Sequence, residues 1–200
     1  MEMLSEYAII ILAAGSSSRL GEPKQLLKYR NKSLIRHITE AAAETVGSNV
    51  IVVTGSNAEL IQNEIQDLSI QLVHNAGWQT GMASSIVTGI VKLTSLLRHC
   101  KGAVIAVSDQ PFVTSTLFHD LIHASIQNGT GIVASSYDQT AGTPVFFSPP
   151  YFPDLTQLTG TEGAKKLIKR FQSDATTVPF PLGNMDIDTQ EDYQKLLSLD

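Results

Sequence analysis

Apolar, β-rich runs alternate with stretches of helical period along most of this chain. Tyr7–Leu12, Asn49–Val53, Ile70–Val73, Ala103–Val107, Gly131–Ala134 and Pro144–Phe147 read as strands. Between them, Ser33–Val46, Asn57–Leu68, Gly81–Leu97 and Ser115–Ile126 read as helices. In the third, Met82, Ile86, Ile90, Leu93 and Leu97 recur at helical spacing and predict one apolar stripe. Ser56 and Asn57 have the right chemistry to cap the second. The strand runs are continuously apolar rather than alternating, as strands covered on both faces must be. Strand–helix alternation of this kind predicts an α/β fold, a Rossmann-like, mostly parallel sheet with helices on both faces.

The pattern changes after Tyr137. The stretch "DQTAGTPVFFSPPYF" is rich in turn formers, and Gly163–Phe171 then resumes a helical period with Ala164, Leu167, Ile168 and Phe171 on one face. Asp186–Asp188 leads into a last helix, Gln190–Leu197. With no linker and no internal repeat, one domain over residues 1–200 is expected, carrying a C-terminal elaboration over one sheet edge.

Composition narrows the partners. The chain is 42% hydrophobic and 16% charged, with a net charge of −5. A surface for nucleic acid or anionic membrane is therefore not expected, since no basic stripe exists to neutralise phosphates. A small anionic substrate remains open, because a few local cations and a metal suffice for it. Cys100 is the only cysteine, which rules out an intramolecular disulfide and points to a reducing compartment. The run Tyr7–Leu12 is too short to span a bilayer, so a cytoplasmic protein is expected.

In an open α/β sheet, ligands bind beyond the carboxyl ends of the strands. Four polar loops fall there: Ala13–Lys24, Thr54–Asn57, His74–Ser85 and Ser108–Thr114. The first belongs to "LAAGSSSRLGEPKQLL", which is neither a Walker A loop nor a dinucleotide fingerprint. Five residues lie between Gly15 and Gly21, and no acid follows Val53. Its small residues nevertheless let backbone N–H groups approach an anion, and Arg19 and Lys24 add charge; two solvated cations on a turn are the plainer alternative. Asp109, in "VSDQPFVT", follows a buried strand and suits a Mg²⁺ ion shared with substrate phosphates, or else a turn cap. In "DIDT", Asp186 and Asp188 fall on one face of an extended segment, and Asp188 or Thr189 could instead cap the last helix. In "HNAGWQTGMASS", Trp78 fits a packing role as well as a ligand contact, and Ser84 and Ser85 open a helix. His74 reads as structural, and His37, His99, His119 and His123 as surface positions on helices.

Taken together, the segments "LAAGSSSRLGEPKQLL", "WQTGMASS", "SDQPFV", "GTPVFF", "LTGTEGAKKLI" and "DIDTQEDY" resemble, in family order, the MobA-like, molybdenum-cofactor branch of the nucleotidyltransferase-A superfamily. The resemblance covers nearly the whole chain and implies a fold of the nucleotide-diphospho-sugar transferase type. It is strongest toward the cytidylyltransferases, implying transfer of CMP from CTP to molybdenum cofactor with release of pyrophosphate. It also implies Mg²⁺ as cofactor and a molybdenum hydroxylase as client. By the same resemblance Leu12, Ala13, Ala14 and Gly15 hold base and ribose, Arg19 and Lys24 grip the triphosphate, and Gly81 and Ser85 position the nucleotide. Asp109 binds the metal, with Asp186 or Asp188 completing the site. Two positions depart from the family pattern: Thr161 stands where Asp is usual, and Lys165 where Arg is usual. Both lie on the acceptor side. The competing readings are a related transferase acting on a sugar or alditol phosphate, and a non-catalytic protein that carries or inserts the cofactor.

Overall fold

The computed structural model describes residues 4–18 and 20–199. Its first half runs β1 (Tyr7–Ala13), β2 (Lys28–Tyr29), β3 (Lys32–Ser33), α1 (Leu34–Val46), β4 (Val50–Thr54), α2 (Ala58–Ile65), β5 (Gln71–His74) and α3 (Met82–Leu96). There follow β6 (Gly102–Val107), α4 (Ser115–Asn128), β7 (Ile132–Tyr137), β8 (Thr140–Phe147), α5 (Phe152–Thr156), α6 (Lys165–Arg170), β9 (Ala175–Pro179) and α7 (Gln190–Leu197). Seven strands form one sheet in the order β5-β4-β1-β6-β8-β7-β9, while β2 and β3 pair separately. Only β8 runs against the rest.

The continuous apolar runs become the sheet centre. Along β1, Ile9 and Ile11 face α1 and α4, while Ile10 and Leu12 face α3, so both layers of core pass through one strand. Helix α3 buries Ala83, Ile86, Ile90 and Leu93. Gly89 lets it sit close to the sheet, since a Cβ there would lie 2.5 Å from Ile10 Cγ2. Met82 leaves the expected stripe: it is 46% exposed at the helix start. His119 departs in the other direction and is buried on α4 against the exposed His123 ring. No helix among the described residues is long and apolar enough to cross a membrane.

The region after Tyr137 carries more regular structure than its turn-rich composition predicts. Strand β7 extends to Tyr137 and β8 begins at Thr140, joined through Asp138 and Gln139, both at positive φ as tight hairpins require. Residues Phe152–Thr156 form α5, with Pro153 tolerated in its first turn. The edge strand β9 was not expected, because its residues are only half-buried and show no apolar run. Finally, Ile187 and Leu196 pack with Leu20, Leu27 and Leu34, fastening the C-terminal segment to the loop after β1.

Candidate active site

All four polar loops gather at the carboxyl ends of the parallel strands. Two buried amides that sequence reading did not single out hold them. Gln25 is 1% exposed, and its Nε2 donates to the carbonyls of Ala13 (3.3 Å) and Gly15 (3.1 Å). Asn75 donates from Nδ2 to Ser84 Oγ (2.8 Å) and Ser85 Oγ (3.0 Å), and its Oδ1 accepts from Gly77 N (2.9 Å). Their residue type gives no signal, since Gln and Asn are ordinarily exposed. Gly55 is required by close approach: a Cβ there would lie 2.6 Å from the Ala14 carbonyl and 2.8 Å from Trp78 Cβ.

Two cavities meet here. The first, about 330 Å³, is lined by Leu12, Ala14, Gly15, Trp78, Gly81 and Ser85 among others. The second, about 560 Å³, is lined by Tyr137, Thr143, Thr161, Lys165, Asp186 and Asp188. Lys24, Met82, Val107 and Asp109 line both, so the wall between them carries one cation and one carboxylate. Ala13 lies just behind this surface, buried in β1. Arg19 lies outside the described residues. Gly81 has a specific duty. Its φ is +115°, a Cβ there would fall 2.2 Å from the Gly160 carbonyl, and that carbonyl accepts from Ala83 N (3.2 Å). The loop beside the second cavity thus seats directly on the start of α3.

The carboxylates converge on Lys24. Its ammonium pairs with Asp109 Oδ2 and with Asp188 Oδ1 at 2.8 Å. Two contacts bring the C-terminal acids to this point: Ile187 N donates to the Asp109 carbonyl (3.1 Å), and Gln110 Nε2 donates to the Gly183 carbonyl (3.0 Å). Ile187 is fully buried, which turns its two neighbours outward together. Thr189 caps α7 in a reciprocal arrangement with Asp192, so Asp188 is not the cap.

Burial alone would lower the Lys24 pKa, but the Asp109 and Asp188 carboxylates outweigh it and hold it above its ordinary value. The Asp186 carboxyl is partly withdrawn from water although the residue keeps an exposed face. That withdrawal, reinforced by the charges of Asp109 and Asp188, pushes it up to about 6. Among the described residues, no three His, Cys, Asp or Glu side chains form a ready metal cage. The donor set still fits a hard cation carried with phosphates. Asp109 Oδ1 is buried without a hydrogen-bond partner, and Mg²⁺ takes one or two carboxylates plus phosphate oxygens.

Comparison with known proteins follows the same lines. The family described as MobA-like NTP transferase domain matches residues 9–176. The chain is 32% identical over 141 residues to the nicotine blue oxidoreductase of Paenarthrobacter nicotinovorans, covering 68% of this chain and 63% of that protein. The match therefore spans less than two thirds of that relative's length. It is 27% identical over 204 residues to the purine catabolism protein PucB of Bacillus subtilis, covering 96% of each. A Mycobacterium sp. strain JC1 homologue of Rv0371c superposes with a TM-score of 0.81 at 29% identity, over 98% of this chain and 96% of that one. Rv0371c of Mycobacterium tuberculosis, solved as a manganese complex, gives a TM-score of 0.75 at 25% identity, over 96% and 98%. At 15% identity, molybdopterin-guanine dinucleotide biosynthesis protein A of Archaeoglobus fulgidus shares the fold, with a TM-score of 0.71 over 96% and 97%. The fold is the nucleotide-diphospho-sugar transferase type.

Two outcomes follow from the geometry. Ile187→Ala removes a fully buried anchor, so thermal or urea unfolding should show a loss of about 2–5 kcal/mol. A loss under 1 kcal/mol would mean the acidic segment is held by other contacts. Asp186→Asn should raise the melting temperature of the metal-free protein above pH 6. A carboxyl with a raised native pKa favours the protonated folded state, so its destabilising effect is absent well below the ordinary value of 3.8, grows toward pH 6 and is complete above it. Equal melting temperatures of wild type and variant at pH 7.5 would contradict this.

Proposed function

The chain belongs to the MobA-like NTP transferase family, and from that premise we propose that it transfers CMP from CTP to the phosphate of molybdenum cofactor, releasing pyrophosphate. The observation that carries the reading is the pair of cavities sharing Lys24 and Asp109. A two-substrate transfer needs donor and acceptor on either side of one charged wall. A protein that merely carried a cofactor would need only one of the two cavities.

In this reading the nucleotide fills the first cavity and the acceptor the second. An acceptor phosphate oxygen attacks the α-phosphorus, the bond from that phosphorus to the bridging oxygen breaks, and pyrophosphate leaves with the electron pair. No side chain need act as nucleophile, so the chain contributes alignment and charge. The loop from Leu12 to Gly15, stiffened by Gln25, would receive base and ribose, with Ser85 and Gly81 opposite. Lys24 on the shared wall would meet the α-phosphate as negative charge shifts toward the leaving group, and Arg19 would grip the triphosphate. Asp109, with Asp186 or Asp188, would hold Mg²⁺, which when bound neutralises charge on the triphosphate. Thr161 and Lys165 line the acceptor cavity, which keeps a sugar or alditol phosphate as the second reading.

Asp109→Ala should lower kcat by about 10²-fold or more while the protein stays folded, because a preorganised charge-stabilising group is lost. Near-normal turnover would remove Asp109 from the mechanism. The nucleotide preference turns on Ala14, which lines the first cavity. Its Cβ should narrow the slot and disfavour a purine, with each mismatched polar edge worth about 1–3 kcal/mol. The check is kcat/KM for CTP, GTP and ATP with molybdenum cofactor, beside an Ala14→Gly variant that should gain on GTP. Equal efficiency with GTP would defeat the CTP assignment. Turnover only with sugar phosphates would transfer the reading to the alternative acceptor.

A further inference from the structure

The ammonium of Lys24 occupies the space between two carboxylates that the proposed reading offers to a divalent cation. It pairs with Asp109 Oδ2 and, at 2.8 Å, with Asp188 Oδ1. The Lys24 and Asp109 side chains are each only 16% exposed. Breaking such a pair leaves one charge partly buried and unpaired, which is costly. A metal ion arriving alone must impose that penalty, because it takes the carboxylates and offers Lys24 no anion in exchange. A nucleoside triphosphate does offer one, since the first cavity opens directly onto Lys24.

We propose that Lys24 is a resident substitute for the metal: it holds the acidic pair closed against free divalent cations and yields only to a cation that arrives with a nucleotide phosphate. This deepens the nucleotidyltransferase reading and rests on it for the identity of the anion. When the phosphates enter, Lys24 turns onto them and its hydrogen bonds to Asp109 and Asp188 are given up. Asp109 then presents Oδ2 as well as the already unpartnered Oδ1. The same side chain therefore serves as a gate before chemistry and as a phosphate contact during it. Unproductive metal binding to the empty site is suppressed, and metal and nucleotide favour each other beyond their direct contact. By linkage the same coupling acts on both.

The test is Mn²⁺ binding to the full-length, metal-free protein without nucleotide, read from the electron paramagnetic resonance signal of free Mn²⁺ at pH 7.5. Lys24→Met and Lys24→Gln should bind Mn²⁺ about 10-fold or more tighter than wild type, within the usual range of coupling between sites. Lys28→Met removes a charge paired with Glu64 on the surface and should leave Mn²⁺ affinity unchanged, which separates the clasp from an effect of net charge. If both Lys24 variants unfold without metal, Mn²⁺ should refold them where KCl of equal ionic strength does not. Failure of that rescue, or Mn²⁺ affinity equal to or weaker than wild type in folded Lys24 variants, overturns the proposal. Binding of Mn²⁺ with CTP to wild type is measured alongside. Its absence would count against the nucleotide reading, while the Lys24 comparison without nucleotide would still decide the clasp.

Discussion

A parallel strand covered on both faces has no room for a polar side chain except beyond its ends. That constraint organises this molecule. In β1 every residue from Tyr7 to Ala13 is buried, and β4 and β6 flank it in the same direction. Backbone hydrogen bonds are satisfied within the sheet, and side chains supply core to two helical layers at once. Whatever the chain needs for chemistry must therefore collect where the strands stop, and the parallel directions put those stops on one edge. Antiparallel β8 enters only after that edge is built, and it adds wall to the second cavity through Thr143.

Charge then determines how the loops close. Lys24 is too sheltered to remain unpaired, and the carboxylates that answer it come from distant parts of the sequence, Asp109 after β6 and Asp188 before α7. The C-terminal segment reaches them because Ile187 inserts between Leu20, Leu27, Leu34 and Leu196 while its backbone N–H meets the Asp109 carbonyl. Apolar burial on one side of this short stretch thus presents acids on the other. The geometry withdraws the Asp186 carboxyl partly from water and leaves it beside two like charges, and both raise its pKa.

The two cavities are also tied mechanically. Gly81 gives up a side chain so that the Gly160 carbonyl can cap the start of α3. The walls of the two cavities therefore meet through backbone. Relatives of this chain carry names from distinct areas of metabolism, among them purine catabolism and nicotine blue chemistry. A shared scaffold with differing loops is how one fold serves many substrates, and here Thr161 and Lys165 line the second cavity.

Much of this was legible in the sequence. Continuous apolar runs gave the central strands, because burial on both faces leaves no other pattern, and their ends located the polar loops. The period-two spacing of Asp186 and Asp188 placed them on a shared face of an extended segment. Tertiary structure alone decided the rest. Gln25 and Asn75 look like surface residues until neighbouring carbonyls and hydroxyls bury and satisfy them. Met82 belongs by spacing to an apolar stripe, yet it stays exposed and becomes a wall of both cavities. His119 reads as exposed by type, but packing buries it. Strand β9 pairs with β7 despite weak local preference, because an existing sheet edge supplies the hydrogen bonds. The contact of Lys24 with Asp188, 164 residues away, has no local signature at all. Spacing rules reach only as far as a helix or strand repeats, and a charge finds its partner only once the fold has brought the two together.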